Sequence, residues 1–140
     1  MAVVPLLDDA SASPEAGDVF DEIRAARGTD YVNNFWRALA ADPALLRATW
    51  DRLRAVMGGR DGEDGLDPLT KELIYIAVST ANGCGYCVHS HTAAARAKGM
   101  TEAQFADLLA VIAIASQTNA LATALQVPVD AAFLAPQPPD

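Results

Sequence analysis

The chain has 140 residues, 51% hydrophobic and 20% charged, with a formal net charge of −8. That length and apolar content suit one compact domain with a real core and exclude a disordered segment. Eighteen acidic against ten basic side chains oppose phosphate backbones and anionic membrane surfaces, so no nucleic-acid partner is expected.

Residues 1–12 show no sustained periodicity and read as an N-terminal arm. They lack a basic leader and soon reach Asp8 and Asp9, which makes a cytoplasmic location the expectation. Ser13 and Pro14 then open a first helix, with Val19, Phe20 and Ile23 at helical spacing, and Gly28 stops it. A second helix is expected over 31–41, with Val32, Phe35, Trp36 and Leu39 on one side, and Asp42 with Pro43 starts a third through Leu46, Trp50 and Met57. The glycine-rich, charged segment 58–65 reads as an exposed loop between two halves of the domain.

Asp67 and Pro68 open a fourth helix through Leu69, Leu73 and Ile76, which stops at Asn82 and Gly83. A fifth is expected over 84–98, closed by Gly99. Thr101 and Gln104 form a capping-box signature ahead of a long apolar helix that ends near Leu125. The Pro-rich stretch 135–140 reads as a flexible tail. No alternating strand pattern appears, so the expected fold class is all-α, one domain over 1–140.

The longest uninterrupted apolar run of the last helix, 108–115, is shorter than the roughly 18 residues a membrane span needs, so no membrane partner is expected. It is nevertheless more apolar than one face of a monomer hides. A buried central helix or an oligomer interface is implied.

Both cysteines lie in one short segment, Cys84-Gly85-Tyr86-Cys87-Val88-His89-Ser90-His91, which is not the framework of a disulfide-stapled secreted domain. At about 100° per residue, Cys84, Cys87 and His91 share one helix face, whereas His89 points about 160° away from Cys87 and reads as an exposed or capping residue. Only a thiolate attacks a peroxide or a disulfide, and a helix N-terminus with a histidine one turn along favours it. The two-residue spacer then lets the second sulfur condense with an oxidised first one. The alternatives are a stapling disulfide, which closes too short a loop to stabilise much, and a zinc site that would need His89 as well. Glu72 lies twelve positions upstream of Cys84, on a helix beside Leu69, Leu73 and Ile76. It is either a solvated surface carboxylate or part of the site. An unbroken helix would hold it up to about 18 Å from Cys84. The chain must therefore fold back, or a neighbouring subunit must supply the carboxylate.

Glu72, Cys84, Cys87 and His91, with Leu69-Thr70-Lys71-Glu72 and Phe35-Trp36-Arg37-Ala38-Leu39 around them, resemble the AhpD-like alkylhydroperoxidases of the carboxymuconolactone decarboxylase superfamily, over roughly residues 30–125. The resemblance implies Cys87 as the peroxide-attacking thiol, Cys84 as the resolving thiol, His91 as base and Glu72 in a proton relay. Helix-dipole reasoning alone would instead favour Cys84 as the more acidic thiol. Tyr86 departs from the family pattern, which places a histidine there, so one base is missing from the pocket. The resemblance further implies a peroxide substrate, a dithiol or protein reductant, no organic cofactor or metal, and a helical homo-oligomer, trimeric or hexameric. The decarboxylases of the superfamily are not expected to carry the cysteine pair, which sets lyase chemistry behind the peroxidase. A redox-sensing module that oxidises without turnover is the other reading.

Overall fold

The computed structural model describes residues 2–58 and 65–134, and every described element is helical. The helices are α1 (Pro14–Arg27), α2 (Asn34–Leu39), α3 (Pro43–Met57), α4 (Pro68–Ala81), α5 (Gly85–Ala97) and α6 (Glu102–Ala124), followed by a short 3₁₀ turn, Ala131–Phe133. The chain divides into two compact units, Met1–Leu66 and Asp67–Asp140. The loop read over 58–65 and the tail read over 135–140 lie largely or wholly outside the described residues.

Most helix starts follow from capping chemistry. The side chains of Ser13, Asp42 and Asp67 each accept a backbone N–H of the first turn, and each is followed by a proline that needs no hydrogen-bond acceptor there. Thr101 and Gln104 cap α6 reciprocally, as the sequence predicts. Helix α2 is shorter than the expected 31–41: it begins after Asn33, whose backbone is extended at φ −71° and ψ 159° and whose side-chain oxygen accepts from Arg27 Nη1 at 3.2 Å in place of a capping bond.

In the first unit, Val19, Phe20 and Ile23 of α1, Trp36 of α2 and Leu46 and Trp50 of α3 form one buried cluster. Trp36 and Trp50 meet edge to face, 5.4 Å between centroids. The Trp50 indole N–H donates to Glu22 Oε2 at 3.0 Å, while that of Trp36 is buried without an acceptor among the described residues. The segment expected to be a loose arm is tied down. Leu7 exchanges backbone and side-chain hydrogen bonds with Arg37, and Arg24 grips both carboxylate oxygens of Asp9 at 2.7 Å. A cavity of about 220 Å³ beside these charges contains no residue of the cysteine–histidine segment.

In the second unit, Ile76 of α4, Ala95 of α5 and Met100 are buried together, with Leu69, Leu73, Phe105 and Leu108 packed against them. Helix α6 is not a central buried helix. None of its 23 residues is buried in this chain, and Val111, Ile114 and Leu121 are each more than half exposed. Apolar runs alone also understated it, since α6 is long and apolar enough to cross a membrane by length and composition, at a mean hydropathy of 1.5. The polar residues Ser116-Gln117-Thr118-Asn119 end the apolar run, yet the aliphatic residues before them keep the mean of the 18-residue window that high.

Candidate active site

Helix α4 ends at Ala81, and the chain reverses through Asn82, Gly83 and Cys84. Gly83 sits at φ 69°, the left-handed region that glycine enters without a Cβ clash. The Cys84 N–H donates to the Ser79 carbonyl at 2.9 Å, which closes the turn. Helix α5 then runs back along α4, so residues late in α5 return to the level of residues early in α4.

Cys84 is the N-cap of α5 and not its first helical residue, with φ −83° and ψ 85°. Its sulfur takes the place of a capping oxygen, accepting the Cys87 N–H at 3.3 Å. The face count that assumed a helical Cys84 therefore does not apply to it, and the cap geometry brings the sulfurs together instead. Cys84 and Cys87 are joined as a disulfide, their Cα atoms 5.3 Å apart. Both cysteines are half-buried, whereas Tyr86 between them and His89 beyond them are exposed.

His91, one turn beyond Cys87, places its Nδ1 2.7 Å from Glu72 Oε2. Glu72 is therefore not a solvated surface carboxylate: it is 4% exposed. No neighbouring subunit is needed to bring it to the histidine, because the reversal at Gly83 and the return of α5 do so within one chain. Its other oxygen, Oε1, accepts from Lys98 Nζ at 2.9 Å. Burial is the strongest single influence on Glu72 and raises its pKa. The hydrogen bonds from His91 and Lys98, together with their charge, outweigh it and hold the carboxyl below its ordinary value. Since an ionised carboxylate only accepts, the His91 proton belongs on Nδ1, and Nε2 of the neutral ring is the basic atom.

Two further residues join this cluster that sequence reasoning did not single out. Lys98, the C-cap of α5, lies seven residues after His91, about two turns further along. Tyr75, three residues after Glu72 on α4, stacks on the His91 ring. Helical spacing from Glu72 and His91 was the available signal for both.

An all-helical chain that sets a carboxylate–imidazole pair behind a bonded cysteine pair at a helix start defines a helical cysteine-pair protein. Residues 43–130 match the model of the carboxymuconolactone decarboxylase family. The chain belongs to that family and is AhpD-like within it. It is 46% identical over 113 residues to the alkyl hydroperoxide reductase AhpD of Mycobacteroides abscessus, covering 79% of this chain and 61% of that protein. It is 47% identical over 66 residues to the protein of the same name from Solibacter usitatus, covering 47% of this chain and 36% of that one. The chain thus spans less than two thirds of these relatives. The crystal structure of the alkylhydroperoxidase AhpD core from Rhodospirillum rubrum superposes with a TM-score of 0.90 at 64% identity, covering 97% of this chain and 99% of that one.

Proposed function

We propose that this chain is a thiol-dependent alkyl hydroperoxidase and disulfide reductase that cycles Cys84 and Cys87 between dithiol and disulfide. The observation that carries the reading is the 2.7 Å contact between Glu72 and His91, placed one helical turn behind the bonded cysteine pair. In the reduced protein the Cys87 thiolate, its proton taken by His91 Nε2, attacks a hydroperoxide oxygen. The S–O bond forms as the O–O bond breaks, and the alkoxide leaves as alcohol with the proton returned by His91. Cys84 then attacks the Cys87 sulfenic acid, forming the disulfide and releasing water. An external dithiol reduces the pair by exchange and leaves as its own disulfide. One hydroperoxide and one dithiol thus give one alcohol, one water and one oxidised dithiol. Glu72 orients His91 and offsets the charge that the ring gains.

The test is peroxide consumption with a small dithiol reductant by the wild type and by Cys87→Ser. The expected result is turnover in the first and background in the second, and equal rates defeat the reading. A redox-sensing module would consume about one equivalent of peroxide and stop. The cysteine pair with its carboxylate–imidazole partner favours this redox cycle over the lyase chemistry that the family's name carries.

The same reading includes assembly. With no residue of α6 buried, the exposed apolar side chains are proposed to pack against other copies in a cytoplasmic homo-oligomer, a trimer or hexamer. The polar run Ser116-Gln117-Thr118-Asn119 around the helix supports a protein interface over a bilayer.

A further inference from the structure

We propose that Lys98 is a positioning residue of this site: bonded to Oε1 of Glu72, it keeps that buried carboxylate charged while His91 is neutral, and so sustains the histidine as a base. The catalytic consequence rests on the function proposed above, whereas the electrostatic one does not.

Glu72 has one charged or chargeable partner on each oxygen, His91 at 2.7 Å and Lys98 at 2.9 Å. They are not equivalent. An imidazole gains and loses its charge between about pH 5 and 8, whereas a lysine ammonium keeps its charge throughout that range. A base must be neutral to accept a proton. When His91 is neutral, Lys98 is the cation hydrogen-bonded to a carboxylate whose side chain is only 6% exposed. Without it, a neutral His91 would leave a buried anion uncompensated, and the ring would hold its proton to higher pH to avoid that state. With Lys98 in place, the Glu72–Lys98 pair is balanced on its own, and the ring is free to give up its proton and take one from a thiol.

Among the described residues, the side chains hydrogen-bonded to Glu72 are His91 and Lys98. Tyr75 of α4 covers the face of the His91 ring and brings no cation to Glu72. Lys71 neighbours Glu72 in the chain, but the hydrogen bonds described for Glu72 come from His91 and Lys98. Of the acidic groups on α6, Glu102 faces Arg96 at 3.5 Å and Asp107 is exposed.

The experiment records ¹⁵N resonances of the histidine rings in the reduced protein against pH for wild type, Lys98→Met, Lys98→Gln and Lys98→Arg. Exposed His89 serves as internal reference, and circular dichroism verifies the fold of each variant. The Met and Gln variants are expected to keep the His91 ring doubly protonated at pH values where wild type and the Arg variant show a neutral ring bearing its proton on Nδ1. Peroxide turnover of the Met and Gln variants should fall about tenfold near pH 6 and change less than about twofold near pH 8, with Lys98→Arg close to wild type at both. Ring protonation that matches wild type in the Met and Gln variants overturns the inference. So does a loss of turnover equal at both pH values, or an Arg variant that behaves like the Met variant. The ring resonances require no turnover: a shifted ring titration in the Met and Gln variants of a protein that consumes no peroxide supports the role of Lys98 and defeats the peroxidase reading alone.

Discussion

The ring of Tyr75 lies flat on that of His91, their centroids 3.5 Å apart and their planes 17° from parallel. Because Glu72 and Tyr75 are one turn apart on α4, a single helix supplies both the acceptor that fixes His91 Nδ1 and the platform that fixes the ring plane. Tyr75→Ala removes the platform while leaving the hydrogen bond possible. It is expected to lower kcat/KM for a hydroperoxide about tenfold and stability by about 1–2 kcal/mol, with Tyr75→Phe near wild type on both counts. Steady-state kinetics and thermal melts of the two variants decide this.

Glu72 carries a pH dependence whose sign follows from its environment. The folded protein holds its carboxyl below its ordinary value, so the folded state binds this proton more weakly than the unfolded chain. The resulting stabilisation is complete above that value and is lost as pH falls through the lower folded value. Urea unfolding across the acid range should show wild type losing stability more steeply than Glu72→Gln, with the two curves converging at the lowest pH. At neutral pH the variant should be about 2 kcal/mol less stable, since it leaves Lys98 facing an uncharged group. Parallel curves would remove Glu72 from the linkage.

Cys84 acts as both cap and redox group, and the two roles separate by substitution. Serine is a strong N-cap, so Cys84→Ser should retain α5 and cost little, whereas Cys84→Ala should cost about 1 kcal/mol. Treated with one equivalent of hydroperoxide, Cys84→Ser should accumulate a sulfenic acid on Cys87, trapped by a dimedone adduct and counted by mass spectrometry. Adduct forming instead on Cys84 in the Cys87→Ser variant would exchange the two roles, as the capping bond to the Cys84 sulfur would favour.

Val111, Ile114 and Leu121 are exposed along α6 at helical spacing. Ile114→Glu should dissociate the proposed homo-oligomer, read as a fall in mass by sedimentation equilibrium with the helical circular-dichroism signal unchanged. A wild type that sediments as a monomer would exclude the interface.

Much of the fold was legible in the chain because helix starts are local chemistry. Ser13, Asp42, Asp67 and Thr101 cap the helices at which the sequence places them, and Gly28, Gly83 and Gly99 follow helix ends where positive φ is required. Local pattern failed where a longer-range contact intervened. Asn33 gives its side chain to Arg27, which accompanies a shorter α2, and the supposed arm is held by Arg24 and Arg37.

The residue types of the site, Glu72, Cys84, Cys87 and His91, and their order along the chain were determined by the sequence alone, since spacing within a helix and the reach of a two-residue spacer are local properties. The return of α5 along α4 decided what spacing could not. It buried Glu72, placed it against His91 within one chain, brought Lys98 to its second oxygen and laid Tyr75 on the ring. Residues 16 to 26 positions apart meet only when a hairpin closes, and neither burial nor the charge balance of a carboxylate exists before it does.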